Sequence, residues 1–266
     1  MKYFQFQNHP KFLNYYEICK ITGVLRYLPA KSREYGDTYF MEEYQNQYHK
    51  TYYDDEPNLR SLAKRRLAVL KSLEPEGFTG KTLLEVGSAA GFFLDEARFA
   101  GYRVEGLELS SQEVAYSIDK LGLDVKKKSV LDIGVKEWAN RFDAIACFFV
   151  IEHISDIEGI WERMEAWLKP GAYLFLAVPS FFGPSFQTNP SFWLQTHPED
   201  HFYDYDVNSL KKLLSILGFR MKYARPMSYH QKRDLGLLGK LPTWAFKRFS
   251  NLMCYGDTIE VVFQKK

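Results

Sequence analysis

The feature that most constrains the fold is an uninterrupted alternation of strand and helix patterns between residues 82 and 178. Strand patterns lie at 82–85, 102–109, 124–130, 142–150 and 172–178. The run at 142–150 is almost wholly apolar, as is typical of a strand that is buried on both faces. Repeated strand–helix–strand units with short connections require a parallel sheet with helices on both faces. The sequence therefore predicts an α/β protein.

Residues after 178 depart from this regular alternation. A helix pattern at 207–217 precedes a sixth strand at 219–225, and a seventh strand pattern at 258–264 ends the chain. Before the first strand, apolar residues recur with helical spacing from Leu59 to Leu73. The predicted sheet thus has seven strands, of which the last two are separated by an insertion.

A glycine-bearing loop follows the first strand. Its residues, Gly87-Ser88-Ala89-Ala90-Gly91, are small enough for the backbone to turn sharply and to approach a ligand closely. The dinucleotide pattern G-x-G-x-x-G fails here, because Ala89 and Phe92 stand where its second and third glycines would be. Glu108 ends the second strand, where a carboxylate can accept hydrogen bonds from both hydroxyls of a ribose.

Two stretches resemble motifs of the class I S-adenosylmethionine-dependent methyltransferases. Glu85, Gly87, Ala89 and Gly91 resemble the family's first motif, acid-x-Gly-x-Gly-x-Gly, with alanine at the middle position. The segment 148–154 resembles the fourth motif in its Leu/Ile-Glu-His form. This resemblance implies a Rossmann-like, seven-stranded and mostly parallel sheet with helices on both faces and a C-terminal antiparallel hairpin.

The resemblance also implies that the cofactor is S-adenosyl-L-methionine. The residues that match its binding positions are Glu85, Gly87, Ser88, Ala89, Gly91, Glu108, Leu109, Asp132 and Phe148. At the third strand, Ser129 and Val130 compete with Asp132 for the role of binding the adenine amino group. Because the sulfonium is already an activated leaving group, the protein mainly has to align the acceptor and exclude water.

Two histidines are the candidate catalytic residues. His153 follows the fourth strand and is either a general base or a residue that fixes the turn by hydrogen bonding. His201 lies in an aromatic segment, where Pro198 separates it from His197 and disfavours a helical metal pair. The adjacent Glu152 and His153 are weak evidence for a metal site, and no metal is predicted.

The predicted organisation is a helical N-terminal extension at 1–58 and a methyltransferase domain at 59–266. Tyr39 and Tyr44 of the extension are candidate ligand contacts. Residues 179–206 hold eight aromatic side chains and four prolines and are interpreted as a long loop that forms a lid. A second insertion is placed at 227–257.

Composition limits the partners. A net charge of +2 gives no reason to expect nucleic acid, and three widely spaced cysteines favour a reducing, cytoplasmic setting. The basic stretch 232–252 carries leucines and a tryptophan; it is interpreted either as a segment that packs on the sheet edge or forms a homodimer contact, or as a membrane-surface contact.

The leading functional hypothesis is methyl transfer to a small-molecule or glycan acceptor, with O-methylation favoured. A non-catalytic scaffold with the same fold is the alternative from another class. A nicotinamide-dependent oxidoreductase is disfavoured by Ala89 and Phe92.

Overall fold

The computed structural model describes residues 3–32 and 49–266, which fall into two compact units. The glycine-loop unit comprises residues 33–147 and 166–172. The histidine unit comprises residues 1–32, 148–165 and 173–266. The glycine loop belongs to the first unit, and both candidate catalytic histidines belong to the second.

Two sheets contain the strands of the described residues. The strands are β1 (Phe6–Asn8), β2 (Tyr16–Cys19), β3 (Leu25–Tyr27), β4 (Thr82–Val86), β5 (Arg103–Glu108), β6 (Val125–Lys127), β7 (Phe142–Phe148), β8 (Leu168–Pro179), β9 (Tyr203–Asp204), β10 (Phe219–Pro226) and β11 (Thr258–Lys265). The larger sheet has the order β10-β11-β8-β7-β4-β5-β6, and the smaller one has the order β1-β2-β3-β9. β4 pairs in parallel with β5 and β7, whereas β11 is antiparallel to β8 and β10. The predicted α/β fold, with its seven strands and its C-terminal antiparallel hairpin, is confirmed.

The helices connect these strands. They are α1 (Glu56–Leu73), α2 (Phe92–Phe99), α3 (Ser111–Asp119), α4 (Ile157–Trp167), α5 (Pro184–Thr188), α6 (Pro190–Thr196), α7 (Val207–Ile216) and α8 (Thr243–Met253). The first four and α7 lie where the sequence predicts them. The Ser110 hydroxyl accepts the backbone N–H of Glu113 at 3.4 Å and so caps α3, as the S-x-x-E pattern indicates. In residues 3–32 and 49–266, no helix combines the length and the apolar character needed to cross a membrane.

The prediction of a helical N-terminal extension is wrong for residues 3–32. These residues form β1, β2 and β3, and β3 pairs with β9. Strands of three or four residues are too short to show an alternating pattern, so the sequence carries no clear strand signal there. The candidate contacts Tyr39 and Tyr44 lie outside the described residues.

The segment 179–206 is not one long loop. It holds α5, α6 and β9, and each helix begins with a proline, at Pro184 and Pro190. Proline is well accommodated in the first turn of a helix, so these prolines start helices rather than prevent them. Phe186 and Trp193 pack with Tyr16, Leu25 and Tyr27 in one buried cluster. The aromatic side chains thus attach this segment to the N-terminal strands.

Candidate functional site

The glycine loop joins β4 to α2 in five residues. The backbone N–H groups of Gly87 and Ser88 both donate to the carbonyl of Leu107, at 2.8 and 3.1 Å. Gly87, Ala89 and Gly91 have φ angles of 73°, 45° and 81°, which lie in the left-handed region. Ala89 therefore keeps the backbone conformation that the motif assigns to a glycine, at some cost in strain.

Gly91 is required for packing as well as for conformation. A Cβ on Gly91 would lie 2.7 Å from Leu123 Cδ1 and 2.8 Å from Ser117 Oγ. Both distances are shorter than side-chain carbons tolerate, so the Leu123 and Ser117 side chains would have to shift to admit a side chain at this position.

Glu108 links the end of β5 to the glycine loop. Its Oε2 accepts the backbone N–H of Ala89 at 2.8 Å, and its Oε1 accepts those of Leu109 and Ser110 at 2.6 and 3.0 Å. A carboxylate with this set of donors fixes both the loop and the strand end. Leu109 is 42% exposed and offers apolar surface beside this carboxylate.

Glu85 lies inside β4 and is buried. Burial raises the pKa of Glu85 well above its usual range; the charge of Arg66 opposes this shift, and the charge of Glu108 adds to it. The backbone of Leu94, in the helix that follows the glycine loop, hydrogen-bonds to this carboxyl.

Asp132 is exposed and ends a short 3₁₀ helix that follows β6. Its Oδ2 accepts the backbone N–H of Ser129 at 2.9 Å, while the Ser129 hydroxyl accepts the N–H of Leu131 at 3.2 Å. Asp132 and Ser129, two of the three residues that compete for the adenine role, thus form one reciprocal cap.

The histidine unit brings together side chains that are far apart in the sequence. His153 lies in the 3₁₀ turn after β7, and its Nδ1 is 3.3 Å from Asp200 Oδ2. The rings of His153 and His201 meet edge to face, with centroids 4.5 Å apart. Phe148, the remaining predicted cofactor residue, packs edge-on against Phe175 in this unit at 5.3 Å.

The two candidate catalytic histidines have opposite electrostatic environments. Burial lowers the pKa of His153, but the hydrogen bond that its ring donates to Asp200 and the charge of Glu152 outweigh this effect, so the net shift of the pKa is upward. Burial and the charge of His153 lower the pKa of His201 to about 3. His201 is therefore a neutral imidazole at neutral pH, whereas His153 holds a proton more readily than a free histidine does.

His197 has a structural role in this cluster. Its Nε2 lies 2.9 Å from Asp204 Oδ2 and its Nδ1 lies 2.9 Å from the Pro198 carbonyl, so both ring nitrogens are engaged. The ring lies over Tyr27, with centroids 3.8 Å apart.

Glu152 is a buried carboxyl group in this histidine cluster. The residue is 1% exposed, and neither carboxylate oxygen has a hydrogen-bond partner among the described residues. Burial raises the pKa of Glu152 to about 7, although the charge of His153 opposes the shift. Leaving such a group without a partner costs free energy unless it is protonated or binds a cation.

Among the residues that the structure describes, two sets of three could hold a metal ion. Glu152, His153 and His201 each offer one ligand atom within 4.8 Å of the others, and so do His197, His201 and Asp204. The second set is less available, because Asp204 already binds His197. The sequence-based prediction that no metal binds therefore stays a prediction.

Sequence reasoning missed Asp200 and Asp204, which set the states of the histidines. A signal was available, because both acids fall within four residues of His201. The pairing of Asp200 with His153, however, spans 47 positions and leaves no local pattern.

The model of a methyltransferase domain family matches residues 56–223, which is more than half of the chain. The chain belongs to this methyltransferase domain family. The match begins at the first residue of α1 and ends within β10. The resemblance read from the glycine loop and from the segment at 148–154 is thereby confirmed at the level of the family.

Named relatives of this methyltransferase-domain protein align over only part of their length. A ubiquinone biosynthesis O-methyltransferase of Xanthomonas axonopodis is 30% identical over 126 residues, which are 45% of this chain and 51% of the relative. Another, of Chromobacterium violaceum, is 26% identical over 104 residues, which are 37% of this chain and 44% of the relative. The chain spans about half the length of the curated relatives it matches.

Solved structures share the fold. A SAM-dependent methyltransferase from Archaeoglobus fulgidus matches 86% of this chain and 100% of its own, with a TM-score of 0.61 and 15% identity. Phosphoethanolamine N-methyltransferase 2 from Haemonchus contortus, solved with S-adenosyl-L-methionine, matches 76% of this chain and 52% of its own, with a TM-score of 0.56 and 17% identity. These matches establish a class I methyltransferase fold.

Proposed function

We propose that this methyltransferase-domain protein transfers a methyl group from S-adenosylmethionine to a hydroxyl group of a small-molecule or sugar-containing acceptor. The observation that carries the proposal is the contact between Glu108 and the glycine loop. One carboxylate oxygen holds the Ala89 N–H at 2.8 Å, which sets a ribose-binding group directly beside a loop that can cradle a ligand. The names of the methyltransferase relatives support O-methylation.

The residues present fit this cosubstrate. Gly87, Ala89 and Gly91 adopt the left-handed backbone conformation that lets the loop turn sharply, and the Glu108 carboxylate beside the loop offers oxygen acceptors for a ribose. S-adenosylmethionine supplies a methyl group on a sulfonium, so that methyl transfer forms the bond to the acceptor oxygen as the sulfur–carbon bond breaks and a neutral thioether leaves.

We assign the proton of the acceptor hydroxyl to His153. The support is its pairing with Asp200, which orients the imidazole and stabilises its protonated form, the arrangement that a general base needs. His201, neutral because burial and the charge of His153 lower its pKa to about 3, is assigned to hydrogen bonding with the acceptor rather than to proton transfer.

Metal-assisted activation of the acceptor is a second candidate, favoured by the two buried oxygens of Glu152. Glu152, His153 and His201 would be the ligands, and a divalent ion would lower the pKa of a bound hydroxyl. Loss of methyl transfer in EDTA, with recovery on adding Mg²⁺ or Zn²⁺, distinguishes this candidate from metal-free base catalysis.

Calorimetric titration tests cosubstrate binding. Replacing Glu108 by alanine removes at least one charge-assisted hydrogen bond to the cosubstrate, worth about 1.5–3 kcal/mol, so the Kd for S-adenosylmethionine should rise at least about 10-fold. Glu76→Ala, at an exposed position in the turn after α1, is the control and should leave the Kd unchanged. Equal Kd values in wild type and Glu108→Ala would refute the role of Glu108, and no binding by wild type would refute the proposal.

Turnover separates an enzyme from a non-catalytic scaffold. Incubation with S-adenosylmethionine and a panel of phenols, quinols and sugars should release S-adenosylhomocysteine, and His153→Gln should abolish the release while it preserves cosubstrate binding.

A cytoplasmic location is part of the proposal and is supported by three buried cysteines that all lack disulfides.

A further inference from the structure

The insertion between β10 and β11 exposes a concentration of large apolar side chains. Fifteen large hydrophobic residues of the described chain are exposed, and six of them fall within nineteen consecutive positions. These are Leu235, Leu237, Leu241, Trp244, Leu252 and Met253, and we call them the insertion surface. Leu237 and Leu252 are each 82% exposed and Trp244 is 71% exposed. Single exposed leucines are common on proteins, but a concentration of this kind marks an interaction surface.

The surface is held in place by buried contacts beneath it. The Gln231 amide donates to the carbonyls of Gly239 and Leu241, at 3.2 and 2.6 Å, and closes the loop that carries the leucines. Asp234 is buried and accepts the Tyr255 hydroxyl at 2.7 Å. These hydrogen bonds therefore fix the conformation of the loop that exposes the leucines.

Helix α8 begins two residues after Leu241 and adds further exposed side chains to the insertion. It buries Phe246 and Ser250 and leaves Trp244, Arg248 and Leu252 exposed. Residues four apart lie on one face of a helix, so the tryptophan, the arginine and the leucine form a single outward-facing line. An apolar and basic face of this kind is typical of helices that lie in a membrane interface.

The charge of the insertion is one-sided. Between residues 231 and 253 the sequence has five basic residues, Lys232, Arg233, Lys240, Lys247 and Arg248. The only acid in this range is Asp234, which is buried beneath the loop. Four of the five basic residues are exposed, and Arg233 binds the buried Asp257 at 3.3 Å. Clustered cations beside exposed leucines and a tryptophan are complementary to an anionic lipid headgroup layer above an acyl interior.

The position of the insertion suits a binding surface. β8 ends at Pro179 opposite Thr258, and β10 ends at Pro226 opposite Ile259. The insertion therefore begins and ends at the side of the sheet where the carboxyl ends of β8 and β10 lie. Ligands of α/β proteins bind at the carboxyl ends of the strands.

We propose that the insertion surface docks on an anionic phospholipid membrane, with Leu237, Trp244 and Leu252 entering the interface and the surrounding lysines and arginine contacting headgroups. This inference goes beyond methyl transfer and does not depend on it. Docking would present this edge of the sheet to acceptors that reside in the membrane.

Co-sedimentation with vesicles tests the proposal. The full chain should pellet with vesicles of phosphatidylcholine plus phosphatidylglycerol at least tenfold more strongly than with phosphatidylcholine alone, and high salt should reduce the effect. The triple variant Leu237→Ser, Trp244→Ser, Leu252→Ser should lose binding. The control Phe99→Ser, Ile118→Ser, Ile216→Ser removes three exposed apolar side chains outside the insertion and should bind like wild type.

Three results would overturn the proposal: no binding by wild type, equal binding by wild type and the triple variant, or equal binding to neutral and anionic vesicles. Light scattering of the proteins without vesicles tests whether the insertion surface binds a second copy of the chain. A dimer that is present in wild type and in the control but lost in the triple variant would show that the surface is a dimer interface. Urea unfolding of each variant checks the fold without cosubstrate, so this test stays separate from the test of methyl transfer.

Discussion

Replacing Gly91 by alanine tests whether the glycine loop is constrained by packing as well as by backbone conformation. Gly91 has a φ of 81°, and a Cβ there would lie 2.7 Å from Leu123 and 2.8 Å from Ser117. The left-handed conformation costs a non-glycine residue about 1–2 kcal/mol. Forcing an extra methyl group into a packed site costs about 1–3 kcal/mol more. We therefore expect Gly91→Ala to lower the free energy of unfolding by about 2–5 kcal/mol.

Gly218→Ala is the matched control for this substitution. Gly218 has a φ of 84°, and a Cβ there would meet nothing within 4 Å, so only the conformational cost applies. Urea unfolding of the three proteins measures both losses, and their difference isolates the packing contribution, about 1–3 kcal/mol. Equal losses in the two variants would refute the reasoning, because the approach of the loop to α3 would then not depend on the missing side chain.

Two further predictions concern the histidine unit. Because burial raises the pKa of Glu152 from 4.5 to about 7, its contribution to stability is complete below pH 4.5 and is lost as the pH rises to 7. Glu152→Gln should therefore gain up to about 3 kcal/mol over wild type above pH 7 and little at pH 4.5, as measured by urea unfolding in EDTA. A gain that is independent of pH, or one that the exposed Glu76→Gln reproduces, would contradict this prediction. Removing the Asp200 charge with Asp200→Asn should lower the pKa of His153, so the rise of the methyl-transfer rate with pH should move to lower pH. An unmoved pH–rate profile would exclude His153 as the proton acceptor.

Local pattern was sufficient for the class of the fold and for the glycine loop. Parallel strands buried on both faces produce apolar runs, such as the one at β7, and short connections leave few alternative topologies. The loop at Gly87 and the acid at Glu108 could be identified because each occupies a fixed place at a strand end. The structure then brings the two into direct contact.

Prediction from the local sequence pattern was wrong where a residue type is compatible with two kinds of structure. The sequence pattern predicts a loop at Pro184 and Pro190, yet each proline begins a helix, because proline fits the first turn of a helix as well as it fits a loop. The aromatic residues between 179 and 206 were interpreted as a lid, and several of them form a core with the short N-terminal strands. Composition alone does not distinguish an aromatic core from an aromatic binding surface.

The sequence by itself determined that this chain folds as a seven-stranded α/β protein with a glycine loop after its first strand in the large sheet, because those properties follow from periodicity and from contacts between neighbouring elements. Only the tertiary structure decided the chemistry of the histidines. His153 and Asp200 are 47 positions apart, and their pairing exists only once the chain has folded. The shifts in the pKa values of Glu152 and His201 arise from burial, which depends on every element packed around them and is not encoded at any single position.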